Sequence, residues 1–145
     1  EVFPRGTLIR KAFYAVSLYV AARNAKKIYD KFPVVMNGYW LENAAFAISR
    51  AFRYEKLPKL GASIYKWPTD ILIPDLVFYV NFPDNYHYET YTTRSKENWK
   101  PKMLEIFKRI TRPPVLIVST TMGVKAIVDF IASEIPRRCR GRRMS

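Results

Sequence analysis

Asp75-Leu76-Val77-Phe78-Tyr79-Val80-Asn81-Phe82, closed by Pro83-Asp84, is the stretch that decides the fold. Nearly every position is apolar or aromatic and polar residues do not alternate with apolar ones, so the segment reads as a strand buried on both faces. A strand of that kind belongs to a parallel sheet. Downstream, Met103, Ile106, Phe107 and Ile110 share one helical face, Pro113-Pro114 stops that helix, and Val115-Leu116-Ile117-Val118 makes a second buried strand. After Ser119-Thr120-Thr121, the positions Val124, Ile127, Val128, Ile131 and Ile135 mark a final helix that ends before Pro136.

The same reading extends upstream. Leu8, Ile9, Ala12, Phe13, Val16, Tyr19 and Val20 have the spacing of one buried helical stripe, which predicts a long amphipathic helix from about 8 to 29. Pro33 introduces Val34-Val35-Met36, a short apolar run read as a strand over 33–37, and helical spacing returns over 41–52. Pro58, Gly61, Pro68 and Pro74 make 55–74 a loop with at most a short helical turn. The expectation is an α/β fold. Its parallel strands lie at 33–37, 75–82 and 115–119, its helices near 8–29, 41–52, 97–110 and 122–135, and its crossovers are right-handed.

With 145 residues, 49% of them hydrophobic, the chain holds apolar material for one domain, read here as 1–135 followed by an Arg-rich tail, 136–145. Arg10, Lys11 and Arg23 interrupt the longest apolar candidate, so no membrane span is expected. The single cysteine, Cys139, has no internal disulfide partner, and one histidine, His87, leaves no recognisable zinc set; neither stands at catalytic spacing to a partner. Lys and Arg number 25 against 12 Asp and Glu, a net charge of +13, which favours polyanionic partners, RNA among them. Arg137, Arg138, Arg140, Arg142 and Arg143 crowd into the tail, read either as a solvated end or as a phosphate-contacting arm.

Four segments in order then resemble one family. IRKAFYAVSLYVAARNAKK (9–27), FPVVMNGYWLENAAFAIS (32–49), YKWPTDILIPDLVFYVNFPD (65–84) and VLIVSTTMGVKAIVDFIASEI (115–135) are similar to consecutive segments of the P-loop nucleoside-monophosphate kinases, specifically the mitochondrial UMP-CMP kinase 2 and thymidylate kinase group. The most specific piece is the Trp67-Pro68 step leading to Pro74-Asp75 at a strand start. The resemblance covers the C-terminal two-thirds of that fold and implies a P-loop kinase-like sheet. Family members open with a strand and a G-x-x-x-x-G-K-[ST] loop that cradles ATP phosphates, and no such loop occurs in this sequence. In the family that strand lies between the two corresponding to 33–37 and 75–82. Without it those two strands would leave backbone groups unpaired in a buried place, so the expectation is that an upstream segment or a protein partner completes the sheet; the opening Glu1 in place of Met reads as a processed, truncated or partly recorded product.

The resemblance also implies a site. After its third strand the family carries Asp-Arg and an aromatic, the acid near metal and substrate and the arginine on phosphate; here the residues are Asn37-Gly38-Tyr39-Trp40. Phosphoryl transfer depends on positioned charge, so Asn37 and Gly38 mark a degenerate phosphate and metal motif, and no residue is assigned a catalytic role. Phe13 falls where the resemblance implies an aromatic that stacks on the base, with Arg10 nearby on the same side at i−3, and with Tyr39 and Trp40 they form the expected nucleotide cleft; Phe13 also fits a core position. The lid arginines of the family have only Arg94 and Lys96 as shifted counterparts, and plain surface charge is the reading favoured for Arg94.

The functional expectation is a catalytically degenerate kinase-like protein, acting as a structural or assembly component in a mitochondrial ribonucleoprotein complex, with no cofactor of its own. The alternative is an incompletely recorded kinase that would take ATP and Mg²⁺ and a pyrimidine monophosphate. A third reading is a regulatory subunit that binds nucleotide without turnover.

Overall fold

The helices form where apolar spacing and end signals agree. The computed structural model describes residues 7–81 and 99–139. Helix α1, Leu8–Ile28, begins at Thr7, whose hydroxyl accepts the Arg10 backbone N–H at 3.3 Å, and ends with Lys26 and Lys27 in the last turn, where cations suit the helix dipole. Helix α2, Trp40–Ala51, and helix α3, Trp99–Arg109, follow the predicted faces. Strand β1, Val77–Asn81, and strand β2, Val115–Ser119, pair in parallel with Val77 opposite Val115 and Asn81 opposite Ser119. Helix α4, Val124–Arg138, closes the order. The class is therefore mixed α/β, with β1, α3 and β2 forming a β–α–β succession around a two-stranded parallel sheet.

The core lies where α2 and α3 meet one sheet face. Leu41, Ala45 and Ile48 of α2 pack with Met103, Ile106 and Phe107 of α3 and with Tyr65 and Ile110; Val77, Tyr79 and Val115 close it from the sheet. Tyr79 stacks on Phe107 with ring centroids 4.2 Å apart. The loop between α2 and β1 is tied in by polar contacts: Tyr65 and Arg109 both donate to the Pro58 carbonyl, and the Trp67 indole N–H donates to the Ile71 carbonyl at 3.0 Å. Its only regular element is a 3₁₀ turn at Ser63–Tyr65, as the prolines imply.

Three expectations are corrected. Residues 33–37 form no strand among the described residues: the segment has no ladder partner, and Val35 is 95% exposed. An apolar run needs a neighbouring strand to become one, and among the described residues neither β1 nor β2 pairs with this segment. Second, the α1 stripe is not buried. Leu8, Ile9, Phe13, Val16 and Val20 are exposed, and the helix buries only Ala22 and Ala25, because the described packing reaches only its C-terminal half. Third, α4 does not stop before Pro136 but continues through it to Arg138. Proline's fixed φ suits a helix and it removes a single N–H, while Arg137 and Arg138 hold the last turn by binding Glu134 at 2.8 and 2.6 Å.

Those pairs make the last turn pH-sensitive. The Arg138 hydrogen bond, then the charges of Arg137 and Arg138, hold the Glu134 carboxyl below its ordinary value despite partial desolvation. A depressed folded value means the stabilisation is complete above the ordinary glutamate range and is lost as pH falls through the folded value. Amide protection at residues 137–139, taken relative to the intrinsic exchange rate at each pH, is expected to fall selectively on acidification below that range, and Glu134→Gln should show the low protection already at neutral pH. Equal acid response in the two proteins would refute the pairing as its cause.

Candidate functional site

The corner between Met36 and α2 holds Asn37, Gly38, Tyr39 and Trp40, the residues of the degenerate motif and the expected cleft. Gly38 has φ of +60°, the left-handed region that L-residues with a side chain rarely adopt, and this turn delivers Tyr39 and Trp40 to the start of α2. A Cβ at Gly38 would collide with the Glu42 carboxylate, which folds back from the first turn of α2. The positive end of that helix thus already faces a carboxylate of the chain itself. An anion brought to the same corner would meet that charge. Glu42 is exposed, so water and salt screen that repulsion and it opposes anion binding only modestly.

Tyr39 follows this turn and is held by the 67–72 segment. Its hydroxyl donates to the Leu72 carbonyl at 3.0 Å and its ring lies 5.6 Å from that of Trp67, tilted by 42°. From α1, Tyr19 donates to the Asp70 carboxylate at 2.8 Å, so one tyrosine on each side pins the 67–72 turn. Trp40 is half-buried as the first helical residue of α2. Arg10 sits more than two helical turns from Tyr19, with its guanidinium over the Tyr14 ring and 3.3 Å from the Tyr14 hydroxyl. Phe13 is 57% exposed and meets Tyr14 edge-on. Of α1, Tyr19 rather than Arg10 or Phe13 is the side chain that joins the Tyr39 cluster.

Burial, with the negative charge that Tyr19 would carry on ionising, pushes the Tyr39 hydroxyl up to about 12 from 10.0. A raised folded value means the neutral phenol stabilises fully below pH 10.0, and that contribution is lost as pH rises toward about 12. In a tyrosinate absorbance titration the Tyr39 phenol is expected to ionise last, after Tyr19 and Tyr79, which the bond to Asp70 and burial respectively also delay, and Tyr39→Phe should remove that last step. Persistence of the step in the variant would show that another tyrosine carries it.

The remaining predicted residues fall elsewhere. Arg137 and Arg138 are committed to Glu134 in α4, so two of the five tail arginines are helical rather than a free arm. Arg94, Lys96, His87, Arg140, Arg142 and Arg143 lie outside the described residues. Cys139 is half-buried just past α4, and among the described residues no group of three or more His, Cys, Asp or Glu is placed to hold a metal. No described helix is long and apolar enough to cross a membrane. Sequence reasoning missed Glu42 and the Tyr19–Asp70 bond. The first had a signal, an acid three residues past the turn residue Tyr39 where a helix begins; the second joins residues 51 apart in sequence and had none.

No family model, curated protein or solved structure matches this chain, so the kinase resemblance rests on the four quoted segments themselves.

Proposed function

We propose that this chain is a catalytically degenerate nucleoside-monophosphate kinase-like protein, with a P-loop kinase-like fold, that serves as a structural or assembly component of a mitochondrial ribonucleoprotein complex. The observation that carries the loss of catalysis is the Glu42 carboxylate over Gly38. Where the resemblance puts a phosphate-gripping arginine and a metal-side acid, this chain has a left-handed glycine, a neutral Asn37 and a misplaced negative charge. Tyr39 fills the adjoining space with its own hydroxyl already bonded. A net charge of +13 and the exposed Ile9, Phe13, Val16 and Val20 of α1 favour a role within an assembly, where phosphate and a covering surface are both at hand.

The protein, supplied with a family P-loop segment upstream, is expected to transfer no measurable phosphate from ATP·Mg²⁺ to CMP, UMP, dCMP or dTMP. Restoring the motif takes Glu42→Ala beside Asn37→Asp and Gly38→Arg, because a side chain at Gly38 needs the space the Glu42 carboxylate holds and the turn must relax as well. The triple variant should gain a rate that the double lacks. Robust turnover by the unmodified protein would establish the enzyme reading instead. The assembly reading is checked by sedimentation of the tagged protein from isolated mitochondria: it should migrate in large particles that ribonuclease disperses, and migration as a free monomer would reject it.

A further inference from the structure

Deepening the RNA-associated reading, on which it rests, we infer that a second cavity of this chain is a seat for single-stranded RNA. The cavity, about 450 Å³, is lined by Tyr65, Lys66, Trp67, Arg109 and Arg112 among others. That volume falls within the usual range of small-ligand sites, roughly 300–1,000 Å³, and accommodates one nucleotide. Ile73 and Arg112 lead into β1 and β2, so it opens by the N-terminal ends of the parallel strands. Nucleotide clefts of open α/β sheets lie beyond the opposite ends.

Its charge is one-sided. Three cations line the cavity and no acid does. The acid nearest in sequence, Asp70, is bound by the Tyr19 hydroxyl at 2.8 Å. Arg109 spends one guanidinium nitrogen on the Pro58 carbonyl and keeps its other donors, whereas the Lys66 and Arg112 side chains have no hydrogen bond or ion pair among the described residues. The Thr69 and Thr111 hydroxyls on the rim are likewise unbonded there. Trp67 lines the same cavity, partly buried against the core and fixed by its bond to Ile71 and its contact with Tyr39. A held indole beside unpaired cations is the pairing that binds single strands: a base stacks on the ring while flanking phosphates meet the charges. The other cavity, about 380 Å³, lacks it, since Glu55 and Glu105 line it and no aromatic does.

The test is fluorescence anisotropy of a labelled short oligouridylate with the full chain between about 50 and 200 mM salt. Lys66→Ala with Arg112→Ala should weaken binding and shallow the slope of log affinity against log salt by about 0.7 for each lost contact. Trp67→Leu should weaken it about tenfold with the slope nearly kept. Lys26→Ala with Lys27→Ala, an equal charge loss on α1, should change both quantities by less than half as much. An equal effect from that control pair, or equal competition by polyglutamate at matched charge, overturns the site and leaves general polyanion binding standing. Wild-type binding with unchanged site variants overturns it too. Absence of any wild-type binding removes this inference and the RNA part of the proposed function together. Circular dichroism separates misfolding of Trp67→Leu from loss of the site, and the Lys66/Arg112 pair, which breaks no described contact, keeps the test decisive.

Discussion

Ile106→Ala is expected to lower the unfolding free energy by about 3 to 4 kcal/mol, within the usual 2–5 for such a truncation in a core. Ile106 is 0% exposed and sits in α3 among Leu41, Ala45 and Ile48 of α2 and Phe107, which itself stacks on Tyr79. Removing three carbons there opens a cavity that two helices and a sheet would have to close together, and a close-packed interior relaxes only partly. The size of the effect follows from how the burial is distributed. α1 contributes two buried alanines and α4 one buried residue, Glu134, so the α2–α3–sheet cluster carries most of the described apolar packing. A loss of this size is a large fraction of the roughly 5–15 kcal/mol that holds a typical domain. Urea unfolding should show it as a shifted midpoint with an unchanged slope, while Val128→Ala on the exposed side of α4 should stay within about 0.5 kcal/mol. Equal shifts in the two variants would mean that the core is not where these contacts put it.

The same distribution explains what could be read from residues alone. Helices α2 and α3 and strands β1 and β2 were legible because their signals are local: an apolar face bounded by breakers, and a run of β-branched and aromatic residues bounded by proline. The segment 33–37 carries the same local signal and makes no strand among the described residues, since pairing is a property of two segments and Val34-Val35 lacks a ladder. The α1 stripe failed in a related way. Periodicity says which residues share a face, not whether anything lies over it, and Val16 and Val20 are exposed. At the candidate site, Asn37-Gly38 was recognisable as a place short of charge. That Glu42 turns back over Gly38 depends on a positive φ, which glycine permits and no residue pattern dictates. Lys66 and Arg112 lie 46 positions apart, and only the fold sets them on one cavity.

Lys102 shows the point most sharply and has the other large expected effect. Its sequence context is a basic residue early in a helix, where a cation opposes the dipole and a surface role is the ordinary reading. In the fold its ammonium donates instead to three carbonyls, those of Phe52, Arg53 and Glu55, just past the C-terminus of α2. Helix ends leave carbonyls unsatisfied, and three donors on one compact cation meet them at the negative end of the α2 dipole. Lys102→Met keeps the alkyl stem and removes the donors. The Phe52 carbonyl is partly buried, so the loss should exceed a surface substitution, whereas those of Arg53 and Glu55 lie at exposed positions and regain water. The expected destabilisation is about 1.5–3 kcal/mol, the range for hydrogen bonds to a charged group. Lys108→Met, which breaks only an exposed 2.9 Å pair with Glu105, should cost about 0.5 kcal/mol or less. Lys102→Arg should recover part of the loss, because its planar fork keeps the charge but cannot converge three donors on that point. Amide exchange would locate the damage in the last turn of α2 and the 52–57 segment. If Lys102→Met and Lys108→Met prove equally mild, the ammonium does not cap α2, and the helix must end by its own backbone.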